Sequence, residues 1–424
     1  MTGLRWAWTL PASGLITGAV QASRSGFDNL TKISFRHISC SGRNTAARER
    51  WMVDDSALAA SRAITGATQG GDDEKVAERL RAFLNRQAAL GGNIGAIRID
   101  AGRRSAGASS GTILFDADIA GENQLPLRLV FRYDLGGAFF SQYSLPPQFS
   151  IMQGLHARGL PVPKALWLDA DGAVNGKPGL FMERIEGIAP STMPFNEGPY
   201  MAVDAAGRHA MLLEAARTLA LIHATSPGGL ADGHFAQRGG DGHYLDREIG
   251  WTLTELRRTI PPAAQDAKAD FYRDIRQTLE TVADWLTAQA PRHRAPELAH
   301  GDANISNFMY GEDGKVVALL DWELAHHGVG EADLAYQIAG IAHFALLAPP
   351  VDGIPTPDEM IAAYLQARGK LDDWAFAQVL GEWRLAVFAS MGMSRLPPEL
   401  EDVERTYWTA TRKRLAALVP GIGA

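Results

Sequence analysis

The pattern of apolar and polar positions changes character twice along the chain. Residues 1–71 carry no stable period and are broken repeatedly by Gly, Ser, Thr and Asn, the profile of a poorly ordered leader. Beyond it, Val76, Leu80, Phe83, Leu84 and Ala88 fall on one face of a helix that opens on Asp72, Asp73 and Glu74 and stops at Gly91 and Gly92. The pattern then shortens to β-like runs at 112–115 and 127–132, with a turn at 120–123 between them. A helix at 148–157 and strands at 165–168 and 179–183 complete a small unit, residues 72–190, with the profile of an α+β lobe around an antiparallel sheet. After a Gly/Pro-rich connector at 187–199 the period becomes helical. Runs at 207–223, 246–259, 265–290, 360–368, 373–391 and 399–418 are interrupted only by a β-like island at 307–321. Residues 191–424 therefore read as a larger, mainly helical lobe.

Composition narrows the possibilities. The 424 residues carry 41 Lys plus Arg against 48 Asp plus Glu, a net charge of -7 that argues against a general nucleic-acid binder. A single cysteine, Cys40, excludes an intrachain disulfide framework and a Cys-rich metal site. No apolar run approaches bilayer length, so a soluble, cytoplasmic protein without transmembrane association is expected. The first 50 residues hold seven basic side chains and two acids, which fits a targeting peptide in charge, but Pro11 and Gly14 break its apolar run.

The densest chemistry lies between His300 and Glu323. Two short strands flank the turn at 311–314, so a hairpin brings Asn307 and Asp321 together, and Asp302, five residues before Asn307, can reach the same pocket. A carboxylate, an amide oxygen and a second carboxylate thus converge. Magnesium takes such oxygen donors and keeps several waters. Phosphoryl transfer needs a cation on the phosphate oxygens and a carboxylate to orient the attacking hydroxyl. Asn307 and Asp321 suit the first task and Asp302 the second. Singly, each residue would as readily cap a turn; the joint spacing is what points to chemistry.

His300-Gly301-Asp302, Asn307, Asp321-Trp322-Glu323, Gly328 and Asp333-Leu334-Ala335 resemble the aminoglycoside phosphotransferase and choline kinase superfamily, in the branch that includes acyl-CoA-dehydrogenase-associated kinase domains. The resemblance implies an α+β, protein-kinase-like two-lobed fold with an antiparallel-sheet nucleotide-binding lobe and a helical catalytic and acceptor-binding lobe. It implies ATP and Mg2+ as cofactors and a hydroxyl of a small molecule as acceptor. Asp302 matches the catalytic base, His300 the brace of the catalytic loop, Asn307 and Asp321 the metal ligands, and Asp333 a supporting carboxylate. Residues 101–112 resemble the phosphate-covering loop, with Gly107 permitting close backbone approach and Ser105 or Ser109 offering hydroxyls. Arg132 matches the cation on the α and β phosphates. Residues 181–187 resemble the hinge, with Met182 beside the adenine and backbone groups of Glu183, Arg184 and Ile185 as its polar contacts. Residues 220–225 resemble the helix under the catalytic loop, where His223 is expected as a buried, hydrogen-bonded histidine.

Two departures stand out. Val329 replaces a frequent acid, and Gln148 falls where relatives place a Glu that pairs with the phosphate-binding cation. An amide contact to Arg132 is then expected, with Asp134 or another acid in compensation. Residues 383–393, including Arg384 and Phe388, are expected to form one wall of the acceptor pocket. The rival reading is a catalytically reduced nucleotide-binding or interaction module.

Overall fold

The structure, a computed structural model, describes residues 73–90, 93–100, 105–106, 109–119, 125–136, 139–260, 268–396 and 400–423. The leader at 1–71 and Gly107 lie outside the described residues.

Helix α1 (Asp73–Asn85) places Asp73 and Glu74 in its first turn and turns Leu80, Phe83 and Leu84 inward. It packs on an antiparallel sheet of β1 (Ile94–Ile99), β2 (Ser105–Ala106), β3 (Ser110–Ile119), β4 (Leu127–Asp134), β5 (Ala165–Asp169) and β6 (Gly179–Glu183). The strand order is β1-β3-β4-β6-β5, with β2 on β3. Phe181 stacks on Phe83 at 4.5 Å and meets Phe115 and Phe131 at 6.3 and 4.7 Å. Each buried phenylalanine is worth roughly 1.5–3 kcal/mol of transfer free energy, so the register is well specified. The two-residue period then decides the site: with Leu129, Phe131 and Tyr133 facing this core, Arg132 faces the other way.

Helix α2 (Leu145–Ala157) starts on prolines and buries Gln148, Ile151, Met152 and Leu155. The larger lobe holds α3 (Ala205–His223), α4 (Asp232–Gln237), α5 (Tyr244–Thr259), α6 (Ala269–Gln289), α7 (Gly330–Leu346), α8 (Pro357–Arg368), α9 (Trp374–Met393) and α10 (Glu401–Leu418). Between α6 and α7 run four short strands, β7 (Glu297–Ala299), β8 (Phe308–Tyr310), β9 (Val316–Leu319) and β10 (His326–Gly328), pairing β7 with β10 and β8 with β9. The connector between the lobes is tied to this region by Ile188, which bridges to Tyr310. No helix among the described residues is long and apolar enough to cross a membrane.

Most expected elements appear within a few residues of their expected ends. Helix α7 does not appear among the helices expected from periodicity. Of its 17 residues 13 are buried, including Glu331 and Asp333, so no polar stripe marks its outer face. It runs along α9, where Gly381 admits the Ala332 carbonyl; a Cβ there would stand 2.5 Å from that oxygen.

Candidate active site

The β8–β9 hairpin joins Phe308 to Leu319, and Leu320 N–H donates to the Asn307 carbonyl at 2.9 Å. The ends of the hairpin therefore carry Asn307 and Asp321 side by side. Asn307 donates its amide to Asp302 twice, to the backbone carbonyl at 2.9 Å and to Oδ2 at 3.0 Å. Tyr336, on α7, donates its hydroxyl to Asp302 Oδ1 at 2.9 Å. Both carboxylate oxygens are thus aimed by side-chain donors from different elements.

The loop carrying Asp302 is held from behind. Asp333, on the first turn of α7, accepts from the His300 and Gly301 N–H groups at 2.6 and 3.0 Å and faces His223 Nε2 at 3.1 Å. His300 Nδ1 accepts from Asp302 N–H at 3.3 Å, so the ring proton sits on Nε2, which donates to the Leu320 carbonyl at 2.8 Å. His300 thereby ties the Asp302 loop to the residue preceding Asp321. Gly301 has φ +83°, and a Cβ there would meet the Leu324 carbonyl at 2.2 Å, so the two loops touch at a position only glycine fits. Asp321 itself adopts φ 64°, ψ 64°, a left-handed conformation that strains a non-glycine residue.

Arg132 crosses to these acids from the sheet lobe. Its Nε donates to Ser110 Oγ at 2.7 Å and its Nη2 to Asp321 Oδ1 at 2.5 Å, with Glu323 Oε2 at 3.6 Å. Burial works against its charge, but Asp321 and Glu323 more than offset this and raise its pKa. Ser109 Oγ lies 3.4 Å from Glu323 Oε1. Burial pushes Asp302 above the ordinary carboxylate range; the Asp321 charge adds to the shift, against His300, Tyr336 and Asn307. Burial also pushes Glu323 up, to about 8, with Asp321 adding and Arg132 opposing. These groups line a cavity of about 220 Å³ whose remaining wall is Phe139, Phe140, Leu324, Tyr336 and Phe388.

Two expectations about Arg132 need correcting. Gln148 makes no amide contact to Arg132: it donates to the Ser144 carbonyl of its own helix at 3.0 Å. Asp134 accepts from the Gly136 N–H. The acids that meet Arg132 come from the other lobe. At the hinge, two of the three backbone donors are already committed, Glu183 N–H to Lys164 and Arg184 N–H to Arg128. Met182 is buried within the sheet, and Met182, Glu183, Arg184 and Ile185 do not line the cavity that holds Asp302. Ser105 pairs with Thr112 at the β2–β3 edge. Of the wall expected at 383–393, Phe388 lines the cavity, Arg384 lies under Gly301, and Trp383 and Met391 are core residues. Sequence reasoning passed over Ser110, Glu323, Tyr336 and the Phe139-Phe140 pair. Only Glu323, two residues from Asp321, carried a usable signal.

The donor set fits a hard divalent cation. The carboxylates of Asp302, Asp321 and Glu323 line one cavity, Glu323 Oε2 is buried without a hydrogen-bond partner, and a guanidinium already lies between Asp321 and Glu323 as a positive stand-in. Among the described residues no three His, Cys, Asp or Glu form a ready-made cage.

A small antiparallel sheet lobe joined to a helical lobe, with acids from the one facing a cation from the other across a cleft, defines a two-lobed, kinase-like phosphotransferase. The chain belongs to the phosphotransferase enzyme family, whose profile matches residues 129–380. It is 27% identical over 272 residues to acyl-CoA dehydrogenase family member 10 of Mus musculus, an alignment covering 61% of this chain and 24% of that protein. It is 25% identical over 274 residues to acyl-CoA dehydrogenase family member 11 of Homo sapiens, covering 60% and 31%. The chain thus spans a quarter to a third of these relatives. Among solved structures, an aminoglycoside-phosphotransferase-like protein of Ralstonia eutropha superposes with TM-score 0.57 at 20% identity, covering 80% of this chain and 97% of the other. Plasmodium vivax ethanolamine kinase superposes with TM-score 0.51 at 15% identity, covering 74% and 82%. These two likenesses concern the fold alone.

Proposed function

We propose that the protein transfers the γ-phosphoryl group of ATP, in the presence of Mg2+, to a hydroxyl of a small molecule. The observation that supports this reading is that Asp302, hydrogen-bonded to Asn307, shares one cavity with Asp321, which Arg132 reaches from the opposite lobe. Residues 72–190 would hold the nucleotide and residues 191–424 the acceptor. Asn307 and Asp321 would hold Mg2+, which when bound offsets charge on the β- and γ-phosphate oxygens. Arg132 then exchanges Asp321 for phosphate oxygens, a change its forked donors allow.

Asp302 receives the acceptor hydroxyl. The hydroxyl oxygen forms a bond to the γ-phosphorus, the bond from that phosphorus to the bridging oxygen breaks, ADP leaves, and the hydroxyl proton passes to an Asp302 oxygen. Tyr336 and Asn307 hold that carboxylate in place, and its raised pKa makes it a better proton acceptor. His300 acts through the loop and touches no reacting atom.

The cavity beside Asp302 is partly aromatic, with Phe388 and Tyr336 from the helical lobe and Phe139 and Phe140 from residues 72–190. At about 220 Å³ the cavity is smaller than the roughly 300–1,000 Å³ of drug-sized sites. The aromatic part of the lining favours an alcohol with an apolar body over a polycationic sugar. The deciding experiment is a phosphate-transfer screen over apolar alcohols, amino alcohols and aminoglycosides, with D302N as control. Transfer to an apolar alcohol, reduced by about 10²–10⁴-fold in D302N, is expected; equal transfer by both proteins overturns the role of Asp302. The second reading, a nucleotide-binding module without turnover, draws on Gln148, which gives Arg132 no acid from its own lobe. Magnesium-dependent ADP binding without transfer to any alcohol would favour it.

A further inference from the structure

Behind the two acidic loops lies a second cluster of charges that the proposed chemistry does not use. Arg384, in the middle of α9, donates from Nε to the Gly301 carbonyl at 3.3 Å, directly before Asp302. Arg238, at the end of α4, donates from Nη1 to the Leu324 and Ala325 carbonyls at 3.2 and 3.1 Å, directly after Glu323. Both guanidinium groups converge on one carboxylate oxygen, Glu248 Oε1 on α5, Arg238 at 3.3 Å and Arg384 in close contact. All three side chains are at most 5% exposed.

Aromatic rings and a histidine pack around the cluster. The Arg238 guanidinium lies 3.7 Å above the Trp251 ring, and Arg384 lies over Phe388. His326 directs Nδ1 to the Leu324 carbonyl at 3.0 Å and Nε2 to Arg384 Nη1 at 3.4 Å. A neutral ring with its proton on Nδ1 satisfies both contacts.

We infer that Glu248 is a positioning residue for phosphoryl transfer: through Arg384 and Arg238 it fixes the Asp302 loop and the Asp321–Glu323 loop relative to one another. The physical need is plain. Both loops are irregular and buried, so their carbonyls must find donors, and helix-borne arginines supply them at fixed positions. Two buried guanidinium charges without a counter-charge would be very costly, and Glu248 is the acid placed between them. The loops already abut where Gly301 meets the Leu324 carbonyl, so a shift of either one is felt by the other.

This role rests on the phosphotransferase reading, and its test separates the two. ADP affinity is measured by calorimetry for the full chain with and without Mg2+, for wild type, E248Q and R384K. R384K keeps its charge and can pair with Glu248, but its ammonium replaces the planar fork that holds the Gly301 carbonyl and Glu248 in fixed geometry. Metal-free ADP affinity should stay within about twofold of wild type, because its contacts are mainly in the sheet lobe, while the gain on adding Mg2+ falls roughly 10–100-fold, as for other residues that support metal ligands. A folded E248Q or R384K that keeps the whole gain overturns the role. If E248Q does not fold, R384K decides alone, and if neither folds the residues serve the fold and the positioning role is rejected. A wild type whose ADP affinity ignores Mg2+ would remove the phosphotransferase reading itself, and this role with it.

Discussion

Two pairs of buried carboxylates in the helical lobe behave in opposite ways. Asp302 and Glu323 face the cleft, and burial pushes both upward, Glu323 to about 8. Asp333 and Glu248 sit behind the loops, where burial pushes the same way, yet both are held at about 2. The hydrogen bond from His223 reverses the shift at Asp333, which also accepts from the His300 and Gly301 N–H groups. Arg238 and Arg384 reverse it at Glu248. Desolvation is common to all four, so the difference lies in the donors. A carboxylate that serves the fold comes with its donors already in place; the two in the cleft are left short of them. Arg132 makes up part of the shortfall by pairing with Asp321. A cation entering with a polyphosphate would make up the rest.

The sharpest way to break this contrast is to remove the compensation where it is complete. D333N puts an amide donor against the His300 and Gly301 N–H groups, and a stability loss of about 3 kcal/mol is expected at neutral pH, as for other broken buried pairs. The pH dependence has a definite sign. Asp333 is held at about 2 against an ordinary 3.8, so its contribution is complete above 3.8 and lost as pH falls through about 2. Denaturant melts of wild type and D333N should therefore converge in that acid window. A constant difference down to pH 2 would mean that the pairing is not what Asp333 contributes.

The cleft should respond in the opposite direction and more weakly. In the metal-free protein Glu323, at about 8 against an ordinary 4.5, contributes stability that is complete below 4.5 and lost as pH rises through about 8. E323Q mimics the protonated form, so at acid pH its stability should match wild type within about 1 kcal/mol. Above pH 8 it should be the more stable of the two. If wild type gains on E323Q as pH rises, Glu323 is not short of positive charge and the contrast with Asp333 fails.

Much of this arrangement could be read in the chain before the structure. The spacing of Asp302, Asn307 and Asp321 and the hairpin between the last two were visible because they lie within twenty residues, where turn chemistry decides the geometry. The sheet lobe was visible because its strands bury one face, so the two-residue period survives. Helix α7 escaped because buried acids, Glu331 and Asp333, stand where a polar face would be sought. Tyr336 escaped with it. The Arg238–Glu248–Arg384 cluster joins residues up to 146 positions apart, and no local period encodes such a meeting. One signal did exist: Arg384 interrupts the apolar run from Trp383 to Phe388, and a cation inside a buried helix must find an anion. The Gln148 departure misled for the same reason. Position alone suggested a partner for Arg132, while packing had sent the amide to Ser144 and brought acids from the opposite lobe.

The most direct measurement is an ADP titration of wild type and D321N, each with and without Mg2+. Mg2+ should tighten ADP binding to wild type. In D321N the gain should vanish, while metal-free ADP binds at least as well because Arg132 is released to the phosphates. An equal gain from Mg2+ in both proteins would contradict the account, since the metal would then be held without the acid that Arg132 now guards.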